Sequence, residues 1–226
     1  MAFTVNRKLI VKLKCLLLYN YTCSIICGGK KAINMADKTQ KNKTYSIVLI
    51  AVSAALITIC SWISITVGPV PFTLQTMAIF AVLMTIGGAR GSVAVIIYLL
   101  LGLVGVPVFA GFKGGPASFL GPTGGFLVGF AVASLVWILL EKLLRDKMSS
   151  SMVKRILYGV INGVICEAVM YTIGVIWFMV VYGRQTGPIG LGATLTMCVI
   201  PFIIPDIVKI AVAVVIGERA GKLIHK

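Results

Sequence analysis

The sequence predicts an all-α membrane protein of six transmembrane helices, both termini cytoplasmic and a ligand pocket facing outward. Three observations predict it. Hydrophobic residues make up 59% of the 226 residues and charged residues only 12%, at a mean hydropathy of +1.04; a soluble domain averages about 45–50% apolar and about 25% charged. The apolar residues form continuous runs without the alternating pattern of outer-membrane strands, so helices are expected over a barrel. The charge is lopsided, 21 Lys and Arg against 6 Asp and Glu, and the basic residues cluster between the runs. The composition excludes a disordered chain, a small disulfide scaffold and a one-core soluble enzyme.

Residues 1–34 stand apart. Arg7, Lys8, Lys12, Lys14, Lys30 and Lys31 surround a short apolar stretch, which is too brief for a secretory signal and lacks a convincing cleavage site. Met35-Ala36-Asp37, followed by Lys-rich polar residues, reads as a natural start for a cytoplasmic N-terminus. Residues 1–34 are therefore expected to be a dispensable extension, and residues 35–226 the membrane-embedded domain.

Six apolar runs follow, at about residues 45–67, 74–86, 92–106, 124–140, 156–182 and 191–217. The second and third are short beside the roughly 20 residues of a straight span. Lys38, Lys41 and Lys43 precede the first run, and Arg90 falls between the second and third. Lys142, Arg145, Lys147, Lys154 and Arg155 separate the fourth from the fifth, and Arg219, Lys222 and Lys226 follow the last. With both termini inside, these twelve face the cytoplasm and only Lys113 and Arg184 face outward, as the positive-inside rule requires. Two segments sit on the outward side: 68–75 (GPVPFTLQ) and 107–122 (PVFAGFKGGPASFLGP). Both are too rich in Gly and Pro for regular helix and too apolar for solvated loops. They read either as the wall of a pocket, where irregular backbone is tolerated at membrane depth, or as two compact interhelical turns.

Other chemistries find no support. A nucleic-acid groove needs basic residues interleaved with aromatics along one face, and these are clustered. Cys15, Cys23, Cys27, Cys60, Cys166 and Cys198 have no metal-ligand spacing, and the lone His225 sits at the tail. Gly217-x-x-x-Gly221-Lys222 is one residue short of a phosphate-binding loop and lacks its Ser or Thr. No nucleophile–base set is visible, so neither enzyme activity nor cofactor is expected.

Only Glu167, Asp206 and Lys209 are ionisable residues deep in apolar runs. Each costs about 2.5–3.5 kcal/mol at mid-membrane and so asks for a reason. Asp206 and Lys209 lie one helical turn apart. They either neutralise each other or form a pocket floor that suits a ligand bearing both N–H and C=O groups, and the second reading explains why the pair exists. Pro201 and Pro205 interrupt the backbone just before it. Glu167 is read three ways: protonated in apolar surroundings, bonded to a neighbouring helix, or lining the same cavity. Ala51/Ala55 and Gly159/Gly163 are small-residue pairs four apart, a spacing that permits close helix approach.

The run PVPFTLQ (Pro69 to Gln75), the run YLLLGLVGVPVFAG (Tyr98 to Gly111), Gly114-Gly115, GPTGG (Gly121 to Gly125), YTIG (Tyr171 to Gly174) and PFIIPDIVK (Pro201 to Lys209) occur in this order. Together they resemble the BioY family, the biotin-binding S-components of energy-coupling-factor transporters. The resemblance spans roughly residues 40–222. It implies a substrate-binding subunit that captures biotin from outside and works with a T-component and ABC-type ATPases on separate chains. It also implies pocket roles for Asp206 and Lys209, which suit biotin's ureido ring. Gln75, Lys113, Gly115, Tyr171 and Glu167 are the further candidate ligand-binding residues, and Ala51 and Ala55 match the first-helix motif that docks the T-component. The chain departs from the family pattern at Phe126, where a Tyr is frequent, and at Lys113 within the glycine cluster. The alternatives are an S-component for another vitamin and a stand-alone proton-coupled carrier using Glu167.

Overall fold

A computed structural model describes residues 43–66, 68–144 and 151–224. Residues 1–34, with Cys15, Cys23 and Cys27, lie outside the described residues, as do Lys38, Lys41, Arg145, Lys147, His225 and Lys226. The chain divides into two units, Met1–Ile47 and Val48–Lys226. Of the first, the described residues open helix α1 (Lys43–Trp62); everything else belongs to the second.

Along α1, Ser53, Ala54, Ile57 and Ser61 are buried at helical spacing, while Val52, Ala55 and Ile59 are exposed. One stripe faces protein and the rest does not, the pattern of a peripheral helix. The run expected to continue to residue 67 stops at Trp62. Its end is tied down by side chains: the Trp62 indole N–H donates to Pro107 O at 2.9 Å, and the Ser61 hydroxyl donates to Val108 O. Two short strands follow, β1 (Ser64–Thr66) and β2 (Pro71–Thr73), antiparallel with Ile65 opposite Phe72. This hairpin is the one departure from an all-α fold among the described residues.

Helices α2 (Gln75–Ile86) and α3 (Gly88–Val104) are separated by Gly87 alone, whose φ of 87° breaks the helical path. Arg90, expected in a loop, lies in the first turn of α3. The junction is closed by α5 (Gly124–Leu144), whose Glu141 carboxylate accepts from Gly88 N–H at 2.7 Å. A carboxylate there also complements the positive helix end. Helix α2 is buried nearly all round, from Ala78 through Leu83 and at Ile86; it is an inner helix, not a peripheral one.

The segment read as irregular contains a 3₁₀ turn (Ala110–Phe112) and a five-residue helix, α4 (Pro116–Leu120), with Pro at its first position. Gly102 permits this: a Cβ there would collide with the Phe109 ring, which packs edge-on against Tyr98 at 5.5 Å.

Helix α6 (Met152–Thr186) packs along α5 and against α8 (Ile203–Ile224). Its 35 residues rise about 52 Å, well over the roughly 30 Å of a hydrocarbon core. Gly159 lies against Val214 and Met84, and Gly163 against Ile210, so this small-residue pair serves packing within the chain. The sixth apolar run is broken into α7 (Leu191–Cys198) and α8, bent by 47°. Pro201 at the break supplies no N–H to continue the helix.

Large apolar side chains cover the outside of these helices, among them Val52, Ile176, Ile204, Ile207 and Val208. A surface of this kind is at home in lipid rather than water. Helices α1, α5 and α6 are long and apolar enough to cross a membrane, and the bent α7–α8 pair qualifies if taken as one span. Helices α2 and α3 are shorter.

Candidate ligand-binding site

A cavity of about 530 Å³ opens within the second unit, inside the 300–1,000 Å³ range of small-molecule sites. Both Gly- and Pro-rich segments wall it, Pro69 to Pro71 on one side and Ala110 to Gly114 on another. The reading of these segments as two separate turns is therefore replaced by a shared enclosure.

Its floor is polar. Asp206 stands in the first turn of α8, where a carboxylate is favoured by the helix dipole. Lys209, one turn on, donates to Asp206 Oδ1 at 2.8 Å, and the Tyr171 hydroxyl from α6 donates to Oδ2. All three side chains line the cavity. Asp206 and Lys209 are only 6% and 7% exposed, so each needs the other. The ammonium also lies 3.8 Å above the centre of the Phe72 ring, and Phe72 stacks on Phe202 at 6.1 Å. This cation–π contact comes from β2, so the hairpin fixes the position of the cation on α8. Lys209 uses one of its three N–H groups on Asp206, and the carboxylate accepts two bonds at roughly four acceptor positions. Both retain capacity for a ligand.

One part of the remaining wall is apolar, from Phe126, Phe130 and Met170 among others. Phe126 lies edge-on to Tyr171 at 6.5 Å, so the hydroxyl missing at position 126 leaves an aromatic surface there.

Gln75 opens α2 at the cavity, buried, with its Nε2 lacking a partner. Thr76 beside it also lines the cavity with its hydroxyl unpaired. Lys113 lines the cavity from an exposed position. Gly115 is not among the lining residues; Gly114 is. Gly115 adopts φ 87° and its N–H donates to Gly102 O at 2.7 Å, so it folds the wall back onto α3. Glu167 is also outside the lining, buried on α6 with both carboxyl oxygens unpaired. Ala51 and Ala55 are exposed on α1.

Sequence reasoning missed Thr76, Phe72 and Phe202. Their signal was present in the same runs that gave Gln75 and Asp206, but apolar or hydroxyl side chains carry no cost that flags them. It also missed Glu218, whose side chain is fully buried near the end of α8 between Arg155 at 3.0 Å and Lys222 at 3.4 Å.

Comparison with known proteins gives a consistent set. The family model described as BioY matches residues 34–226. The biotin transporter BioY of Thermotoga maritima is 38% identical over 171 residues, covering 75% of this chain and 91% of that protein. A probable biotin transporter BioY of Pyrococcus horikoshii is 36% identical over 177 residues, covering 78% and 96%. Among solved structures, the S-component for biotin from an ECF-type ABC transporter superposes with a TM-score of 0.66 at 31% identity, covering 80% of this chain and 93% of that one.

Proposed function

The chain belongs to the BioY family, and from that membership we propose that it is the substrate-binding S-component of an ATP-driven transporter that imports biotin. The observation that carries the ligand is the Asp206–Lys209–Tyr171 floor beneath a cavity of about 530 Å³. Biotin's ureido ring offers two N–H donors and a C=O acceptor. Asp206 accepts a ureido N–H at its free acceptor positions, and Lys209 donates to a ligand oxygen while steadying Asp206. The apolar thioether ring rests against Phe126, Phe130 and Phe202. Gln75 Nε2 supplies a second donor, and Lys113, at an exposed edge of the cavity, meets the carboxylate of the ligand's tail. Gly115 shapes the wall.

In this reading the chain is a multi-pass protein of the cell membrane. It crosses six times, by α1, α2, α3, α5, α6 and the α7–α8 pair, with both termini cytoplasmic and the cavity facing out. The basic clusters support that orientation. Energy comes from ABC-type ATPases coupled through a T-component, and the exposed Ala51-x-x-x-Ala55 face of α1 is the docking surface, since small residues allow close helix approach.

The test is equilibrium binding of labelled biotin to the purified chain, with thiamine, riboflavin and folate as competitors. Biotin is expected to bind and the others not to compete. Asp206→Asn should weaken binding by about 1–3 kcal/mol, the cost of leaving a buried polar partner unmatched. Unchanged affinity in that variant removes Asp206 from the site, and preference for another vitamin overturns the choice of ligand.

A further inference from the structure

Behind the pocket floor, α6 carries a buried acid that the binding reading leaves without a role. Glu167 is 5% exposed, is not part of the cavity lining, and neither carboxyl oxygen receives a hydrogen bond. The groups acting on it electrostatically are Asp206 and Lys209 of α8, with Cys166 and Tyr171 on its own helix. The other neighbours add no charge: α5 has only Glu141 and Lys142, near its opposite end, α2 has no ionisable residue, and α7 has only Cys198.

The charge count is therefore unbalanced. Ionised Glu167 and Asp206 would place two carboxylates beside one ammonium, and that ammonium is already bonded to Asp206 at 2.8 Å. A buried charge without its own partner costs several kcal/mol. Hydrogen-bond chemistry leads the same way. An ionised carboxylate only accepts, so two of them in side-chain hydrogen-bonding reach make no bond to each other; a protonated carboxyl gains an O–H donor. Glu167 lies one helical turn before Tyr171, on the face of α6 from which the Tyr171 hydroxyl donates to Asp206, so the acceptor that Glu167 meets there is the Asp206 carboxylate.

We propose that Glu167 is a neutral carboxylic acid that donates its O–H to the Asp206 carboxylate and is thereby a positioning residue for the ligand-contacting pair. With Tyr171 and Lys209 it gives Asp206 three donors, which hold the carboxylate in one orientation and leave about one acceptor position for the ligand. The floor then carries one negative and one positive charge, with no net charge buried in the membrane.

Two measurements test this. Infrared difference spectra of the purified chain against Glu167→Gln should show the carbonyl stretch of one protonated carboxylic acid in the wild type that the variant lacks. A merely structural glutamate, ionised, would give no such band. Biotin affinity should stay within about threefold of wild type in E167Q, whose amide N–H still donates to Asp206, and fall roughly tenfold or more in Glu167→Ala, which cannot donate. A protonated band absent from the wild type or unchanged in E167Q overturns the proposal. So does E167A binding like wild type, or E167Q binding as weakly as E167A. The affinity comparison rests on the biotin reading, whereas the infrared comparison does not. Failure of biotin to bind the wild type therefore sinks that reading alone, and the spectra still decide the state of Glu167, also if E167A does not fold.

Discussion

At the scale of single residues, the cavity floor is a problem in supplying partners to a buried carboxylate. Asp206 is held by an ammonium from its own helix and a phenol from the next. The phenol contributes a bond to a charged group, worth about 1.5–3 kcal/mol. Tyr171→Phe removes the donor and little else, because the ring still packs edge-on to Phe126. If that bond is lost from the bound state, biotin binding is expected to weaken about ten- to 150-fold in titration calorimetry, with the fold intact by circular dichroism; affinity equal to wild type would mean the phenol does not organise the site. The same cost made Asp206, Lys209 and Glu167 legible in the sequence, since charges in apolar runs ask for an explanation. Thr76 and Phe72 cost nothing to place in such runs, so only their neighbours in three dimensions reveal them. Glu218 escaped notice for a different reason. It lies within a basic cluster that reads as solvated, yet it is buried between Arg155 and Lys222.

At the scale of elements, the site depends on how α6 and α8 meet. Gly163 brings the two helices together at Ile210, one residue beyond Lys209. A side chain at 163 would push on Ile210 and so on the turn that carries both charges. Gly163→Leu is expected to destabilise the protein by about 1–3 kcal/mol, as overpacking does, and to lower biotin affinity by displacing α8 from Tyr171. Thermal unfolding in detergent and binding titration read both effects. A variant with wild-type stability would show that the contact is not tight. The cores of the helices were legible from the apolar runs. Two of their ends were not, because each is set by a contact distant in sequence: α1 ends where Trp62 bonds to Pro107, and α3 starts on Glu141. The break in the last run was legible, since Pro201 marks it locally. Strand β1 was hidden at the end of a run that composition assigns to helix, since strand and buried helix draw on the same residues, and its partner β2 lay in the segment read as irregular.

For the molecule as a whole, composition carries most of the information about environment. An apolar exterior on α1, α6 and α8 and basic clusters at the ends of the runs are two aspects of one adaptation to lipid. The enclosure was foreseeable only as far as two irregular segments needing protein around them. That they converge with the ends of α2, α5 and α8 and the middle of α6 on one cavity is a property of the fold. On the proposed function, this cavity holds a cyclic urea against Asp206 and Lys209. An experimental structure of the chain loaded with biotin decides the matter. A ureido nitrogen is expected about 2.7–3.2 Å from an Asp206 carboxylate oxygen, with Lys209 within bonding distance of both Asp206 and the ligand. Biotin seated elsewhere, with Asp206 and Lys209 bound only to each other and Tyr171, would contradict it.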